Sequence, residues 1–123
     1  MIPYRMGYNF ECRVRDWLRD HGWVVFRTGG SRWPVDLVAM KADQTVLIQC
    51  RASGRLSPRE REELGFLGAL LLVRVVMASR EGTGLTFRKV RPDGTLMDGQ
   101  EDTPEMRKED YGDRFGSTGQ GKD

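Results

Sequence analysis

Two β-prone segments separated by only three residues constrain the fold of this chain more than any other feature. Residues 35–41 and 45–51 are rich in Val, Leu, Ile and Thr, and Ala42, Asp43 and Gln44 connect them. A connection this short joins antiparallel neighbours, because parallel strands need a crossover of a dozen or more residues. The sequence therefore predicts an antiparallel hairpin near the middle of the chain, with its pairing centred on Asp43.

The other elements are predicted by helical periodicity, a capping motif and further apolar runs. An apolar stripe over residues 7–21 predicts a first helix, which ends before a glycine. Ser57, Pro58 and Glu60 have the spacing of a capping box and predict a second helix over residues 58–67. Short apolar runs predict further strands at 23–26, 70–78 and 85–90. The order α-β-β-β-α-β-β predicts an α/β fold with a mixed central sheet of about five strands flanked by helices.

Charge divides the chain into two parts at residue 97. Residues 1–96 carry 16 basic and 10 acidic side chains, a net charge of +6, whereas residues 97–123 carry four basic and eight acidic ones. Sixteen of the 20 basic residues are Arg, whose planar fork matches the geometry of phosphate. We therefore expect a folded domain over 1–96, a disordered acidic tail over 97–123, and a polyanionic partner. An ordinary solvated surface rich in Arg is the alternative explanation of the charge.

Size and cysteine content exclude several classes of protein. With 123 residues the chain has room for one domain. No apolar run approaches the roughly 20 residues that span a bilayer, and the first residues lack the apolar centre of a signal peptide. Cys12 and Cys50 have neither the spacing of a zinc site nor that of a disulfide scaffold. We expect a reducing, cytoplasmic setting.

Polar residues interrupt both strands of the predicted hairpin near its open end. Asp36 begins the first strand directly after a Gly-containing loop, and Gln49 and Arg51 share one face of the second strand. Pairing around Asp43 brings position 36 near position 50, so that Asp36 can approach Gln49 and Arg51. A carboxylate, an amide oxygen and a guanidinium at one strand pair suit a hard divalent cation beside a phosphate. A solvated strand end with an exposed polar face is the alternative.

These residues resemble the archaeal-type Holliday junction resolvases of the PD-(D/E)xK nuclease superfamily, over residues 7–90. The resemblance rests on a helix glutamate, a Gly-Ser pair, an aspartate and an isoleucine followed by a polar-Cys-polar triplet, namely Glu11, Gly30, Ser31, Asp36 and residues 48–51. It implies the restriction-endonuclease-like fold and an intracellular, two-fold-symmetric homodimer that cuts opposing strands of a four-way DNA junction. It also implies Mg²⁺, with Mn²⁺ as a substitute, and neither a small-molecule cofactor nor a membrane partner. The apolar residues 66–72 favour a dimer independently, with burial inside one subunit as the rival explanation.

The resemblance also implies a catalytic or metal-binding role for each matching residue. Asp36 matches the metal-binding aspartate, and Glu11 matches the helix glutamate that completes the metal site. Gln49 and Arg51 stand where the family has a second acidic ligand and a catalytic lysine, and Cys50 would offer its backbone carbonyl. Candidate contacts to the DNA backbone are Arg27 and Ser31, from the resemblance, and Arg5, Arg13, Arg15, Arg32 and Arg55, from the charge of the basic body.

Gln49 and Arg51 depart from the pattern of the family, and both departures bear on catalysis. Gln49 keeps an oxygen donor but lacks the charge that strengthens divalent-ion binding. Arg51 keeps a positive charge but cannot act as a base, so that it can only orient groups or stabilise charge. Four functions remain open at this point: a resolvase that works with Arg, a related repair or restriction nuclease, a junction-binding module whose catalysis is weakened or lost, and a plain interaction protein with an Arg-rich surface, for which the position of Asp36 would be a coincidence.

Overall fold

The computed structural model describes residues 3–29 and 34–97, and its elements follow the predicted order. The helices and strands are α1 (Pro3–Asp20), β1 (Val24–Arg27), β2 (Leu37–Lys41), β3 (Gln44–Cys50), α2 (Pro58–Leu71), β4 (Arg74–Glu81) and β5 (Gly84–Lys89). The first helix begins at Pro3, four residues before the start of the apolar stripe that predicted it at residue 7. Residues 98–123, nearly all of the predicted acidic tail, lie outside the described part. Neither described helix is long and apolar enough to cross a membrane.

The five strands form one mixed sheet whose spatial order is the order of the chain. β3 and β4 pair in parallel, whereas every other neighbouring pair is antiparallel. The parallel pair requires a crossover connection, and α2 supplies it. The predicted α/β fold with a mixed sheet flanked by helices is confirmed.

Helix α1 covers one face of the sheet with the apolar stripe that predicted it. Phe10, Val14 and Leu18 are buried and pack with Ile48 of β3 and Val76 of β4 in one cluster. Burying a side chain of this size stabilises the fold by about 1.5–3 kcal/mol. The stripe therefore fixes both the position of α1 and the direction in which its polar side chains point.

Helix α2 covers only part of the opposite face. Leu64 packs with Leu47 of β3 and with Val75 and Met77 of β4. Within residues 3–29 and 34–97, no helix covers the same face of β1 in this way, and several large apolar side chains are 43–65% exposed on β1, β2 and α2. We call this set the apolar surface; its members are Val24, Phe26, Met40, Phe66, Leu70 and Leu71.

The predicted boundary between the second helix and the following strand is wrong. The helix was expected to end at residue 67 and the strand to begin at residue 70, but α2 continues through Leu71 and β4 begins at Arg74. Leu72 ends the helix in the left-handed region, with φ 56°, and its N–H donates to the carbonyl of Gly68. A continuous apolar run cannot by itself distinguish a helix from a strand, and here its first part lies on the helix.

The predicted hairpin is confirmed, but its register is wrong by one residue. Lys41 pairs with Gln44, so the turn contains two residues rather than three, and Ala42 adopts a positive φ of 51°. Glycine or asparagine usually occupies such a position. Because residue 42 is an alanine, the sequence does not indicate a two-residue turn here. Continued along the strands, this register places Asp36 opposite Gln49.

Candidate active site

Five polar side chains meet at the end of the β2–β3 hairpin that lies opposite its turn. They come from α1, from the start of β2, from the end of β3 and from the first turn of α2, and they are Glu11, Asp36, Gln49, Arg51 and Glu60. The structure thus brings together the four side chains predicted to be catalytic and adds a fifth that the sequence reasoning did not assign to the site.

Asp36 is held in place by the backbone on both sides. Its N–H donates to the carbonyl of Ile48 at 2.9 Å, and its carbonyl accepts from the N–H of Thr28 at 3.0 Å. The carboxylate oxygen Oδ2 accepts from the N–H of Cys50 at 2.9 Å, the normal length for such a bond. Asp36 therefore presents a carboxylate in a fixed position.

Glu11 faces this carboxylate from α1, and the two acids affect one another. Burial and, after it, the charge of Asp36 raise the pKa of Glu11, against the opposing effect of Arg27. Burial also raises the pKa of Asp36, although the Cys50 N–H and the charge of Arg51 oppose it. Arg27 Nη2 lies 3.3 Å from Glu11 Oε1. A partly buried pair of carboxylates favours the arrival of a further cation, because a cation relieves their repulsion.

Gln49 links Asp36 to Arg51. In the amide orientation that satisfies both ends of the side chain, Gln49 Nε2 donates to the Pro34 carbonyl at 2.8 Å and lies 3.3 Å from Asp36 Oδ2. In the same orientation Gln49 Oε1 accepts from Arg51 Nη1 at 2.6 Å. Arg51 Nη1 also lies 3.3 Å from the carbonyl oxygen of Cys50. Both oxygens that were expected to bind metal at residues 49 and 50 therefore face the guanidinium.

Glu60 is the residue that the sequence reasoning missed as part of the site. Its Oε2 accepts from Arg51 Nη2, and its Oε1 accepts from the N–H of Ser57 at 2.9 Å. The sequence pattern identified Glu60 only as the acidic end of a capping box, which the structure also forms. Glu60 lies in the first turn of the helix that follows β3, and this was the feature of the sequence that could have indicated a position near Arg51.

The donor atoms of the cluster suit a hard divalent cation in part. The carboxylates of Glu11 and Asp36 are the oxygen ligands that Mg²⁺ prefers. Burial raises the pKa of the Cys50 thiol well above its usual range, so that the thiol stays neutral and only its backbone carbonyl can contribute. Within residues 3–29 and 34–97, no group of three His, Cys, Asp or Glu side chains is arranged to hold a metal ion. The suitability of the cluster for a divalent cation therefore depends on the two carboxylates of Glu11 and Asp36.

The predicted DNA-contacting residues have different positions. Arg27 lies in the candidate site, and Arg13 reaches from α1 to the carbonyl of Thr83, in the turn beyond the same end of the sheet. Arg55 is exposed after β3, and Arg15 pairs with its neighbour Asp16 at 3.0 Å. Ser31, Arg32 and the side chain of Arg5 lie outside the described residues.

A five-stranded mixed sheet between two helices, with the polar cluster at the end of its central hairpin, is a restriction-endonuclease-like α/β fold. Among solved structures, the chain is similar to Archaeoglobus fulgidus Hjc, a Holliday junction resolvase from an archaeal hyperthermophile. The TM-score is 0.54 at 21% sequence identity, over 71% of this chain and 73% of that chain. No protein-family model and no curated protein matches the sequence. The predicted resemblance to archaeal-type resolvases is confirmed for the fold.

Proposed function

We propose that this protein is a structure-specific DNA endonuclease that resolves four-way junctions as a homodimer, by metal-dependent phosphodiester hydrolysis. The observation that carries the proposal is the pair of carboxylates, Glu11 and Asp36, beside the guanidinium of Arg51 in a fold similar to that of a resolvase. Metal-assisted hydrolysis of a phosphodiester requires carboxylates that can hold a metal ion and, beside them, a cation that can stabilise charge on the phosphate.

Each residue of the cluster then has a chemical role. Glu11 and Asp36 would hold Mg²⁺ or Mn²⁺ by their carboxylates, whereas the oxygens of Gln49 and Cys50 accept from Arg51. The ion supplies charge stabilisation and an acidified water when it is bound. The N–H of Cys50 fixes the Asp36 carboxylate, and Arg51 neutralises the charge that develops on the phosphate.

The charge of the basic body supports a nucleic-acid substrate. Residues 1–96 carry a net charge of +6, and two basic side chains, Arg27 and Arg13, lie at the end of the sheet that holds the candidate site. Contacts of Arg to phosphate position a protein on DNA without reading sequence. Binding should therefore weaken steeply as the salt concentration rises.

A labelled four-way junction tests the proposed activity directly. The protein is incubated with the junction, with a duplex and with a flap of the same sequence, in Mg²⁺, in Mn²⁺ and in EDTA. We expect paired symmetric nicks in the junction with either metal and none in EDTA. Preferential cutting of the duplex or the flap would assign the fold to a repair or restriction nuclease instead.

The apolar surface supports the homodimer. Two of its side chains, Phe26 and Leu71, line a groove of 440 Å³ together with Val38 and other residues of the sheet and α2. An exposed set of large apolar side chains on a small domain is typical of a protein interface, and a stable interface covers about 800 Å² per partner. Two copies paired in this way would present two active sites to the two strands that are cut.

Leu71→Glu should convert the dimer to a monomer, because it places an unpaired charge in the apolar surface. We expect the dimer dissociation constant to rise by about a hundredfold or more, measured by sedimentation equilibrium. The matched control is Ala69→Glu, which adds the same charge to the same end of α2 but on the flank that faces Val73 and Pro92. A monomeric wild-type protein, or a dimeric Leu71→Glu variant, would contradict this interface.

One observation favours a second candidate, a junction-binding module without catalysis. Arg51 engages the oxygens of Gln49 and Cys50, which leaves Glu11 and Asp36 as the carboxylates available to a metal. The junction assay separates the two functions. Tight, salt-sensitive junction binding without cleavage in either metal would establish the binding module and reject the nuclease.

A further inference from the structure

Arg51 takes the place of a lysine in the resembling family, and a residue from α2 determines where its guanidinium lies. We propose that Glu60 is a positioning residue that holds Arg51 in the orientation from which it meets the scissile phosphate; the inference rests on the proposed nuclease function. Its basis is a chain of contacts that runs from the start of α2 through Glu60 to Arg51 and on to Gln49.

Glu60 is itself fixed, as an anchor must be. Its N–H donates to Ser57 Oγ at 3.1 Å, and its Oε1 accepts from the N–H of Ser57 at 2.9 Å. These two bonds close the capping box of α2 and leave Oε2 to accept from Arg51. Partial burial raises the pKa of Glu60, but the bond from Ser57 and the charge of Arg51 outweigh it, so that this pKa lies below its ordinary value. Glu60 is therefore a charged anchor at neutral pH.

The contacts of Arg51 leave capacity for a phosphate. A guanidinium has five N–H donors in a rigid plane. In the structure Arg51 donates to Glu60, to Gln49 Oε1 and to the carbonyl of Cys50, which use only part of that capacity. The contacts use both terminal nitrogens, Nη1 and Nη2, and the remaining N–H groups can still donate to a phosphate oxygen. An ion pair with a fixed carboxylate restricts the rotamers that the Arg51 side chain can adopt, because the guanidinium must stay within reach of Glu60.

The ion pair is better explained by positioning than by stability. The side chains of Arg51 and Glu60 are 36% and 33% exposed, and water screens a pair this accessible. Arg59 and Glu63 form an ion pair within α2, with a distance of 3.6 Å, but both side chains are more exposed and neither contacts the cluster residues named above. Of these two pairs, the one between Arg51 and Glu60 connects a helix to the candidate site.

Glu60→Gln tests the inference, because glutamine also closes a capping box but removes the charge that holds Arg51. In single-turnover reactions with saturating enzyme and Mg²⁺, we expect the junction cleavage rate to fall by about tenfold to a hundredfold. The junction dissociation constant in EDTA should stay within about twofold of the wild-type value. The matched control is Glu63→Gln, which makes the same chemical change on the same helix, in the exposed pair with Arg59, and should leave the cleavage rate unchanged.

Two further variants show whether Glu60 acts through Arg51. If it does, the double variant Arg51→Ala/Glu60→Gln cleaves no more slowly than Arg51→Ala alone, because the group to be positioned is already absent. The inference is overturned if Glu60→Gln cleaves at the wild-type rate. It is also overturned if the glutamine lowers the rate by the same factor whether or not Arg51 is present.

A measurement that needs no activity separates this inference from the proposed function. Nuclear magnetic resonance of the Arg51 guanidinium should show restricted rotation about the Nε–Cζ bond in the wild-type protein and faster rotation in Glu60→Gln. Free rotation in the wild-type protein overturns the positioning role, whether or not DNA is cut. If rotation is restricted in the wild-type protein and faster in Glu60→Gln, the positioning role is supported even when no junction is cleaved. In that case only the proposed nuclease function is rejected.

Discussion

Asp36→Asn should reduce junction cleavage by more than about a hundredfold while leaving junction affinity within about twofold of the wild-type value. Asparagine has the same shape and keeps an oxygen that can accept from the N–H of Cys50, so the backbone around the site stays in place. What the substitution removes is the charge beside Glu11, which under the proposed function holds a divalent ion together with that residue. Single-turnover cleavage in Mg²⁺ and a binding titration in EDTA measure the two quantities separately.

Asp43→Asn is the matched control for this variant. It makes the same chemical change in the turn between β2 and β3, at the far end of the same hairpin. We expect Asp43→Asn to cleave at the wild-type rate. If Asp36→Asn also cleaved at that rate, the metal-binding carboxylate would have to lie elsewhere and the proposed site would be wrong.

Gly65→Ala should lower the free energy of unfolding by about 1–3 kcal/mol. A Cβ at this position would lie 2.5 Å from the carbonyl oxygen of Arg91, 2.7 Å from that of Pro92 and 2.9 Å from the nitrogen of Gly94. All three are backbone atoms, so none can rotate away as a side chain would. In an exposed helix the same change would instead be stabilising by up to about 1 kcal/mol. Urea unfolding of the two proteins measures the difference.

Gly68→Ala, in the same helix, is the comparison for this prediction. Its Cβ would meet Val75 Cγ2 at 3.1 Å and the carbonyl oxygen of Val73 at 3.2 Å, distances that a shift of a few tenths of an ångström can relieve. We expect Gly68→Ala to lower the free energy of unfolding clearly less than Gly65→Ala does. Equal or greater stability of Gly65→Ala relative to the wild-type protein would show that α2 does not pack tightly on the turn after β5.

Much of the fold could be predicted because local signals and tertiary packing agree. The stripe through Phe10, Val14 and Leu18 predicted a helix and is also the surface that α1 buries. The capping box at Ser57 marked the start of α2, since side-chain bonds within one turn determine it. The end of α2 could not be predicted in this way, because Leu70 and Leu71 are apolar yet exposed, and the run they begin continues into β4.

The candidate site was predictable where it depends on strand geometry. Asp36, Gln49 and Arg51 belong to one hairpin, and hairpin pairing brings them together even with the register shifted by one residue. The contact of Arg51 with Glu60 depends instead on how α2 packs against the end of β3, which no spacing encodes. For the same reason, the contact of the guanidinium with the oxygens of Gln49 and Cys50 could not be predicted from the spacing of these residues.

The coincidence of strand order and chain order has a consequence for how the chain folds. Each antiparallel pair in the sheet closes across a turn or a short loop, and the single long connection is the one that contains α2. Closing a loop costs more conformational entropy as the loop lengthens, so the two hairpin regions on either side of α2 can form early. Docking of β4 beside β3 is then the step that joins them. Because that step also places the start of α2 next to the end of β3, Glu60 meets Arg51 when the sheet is completed.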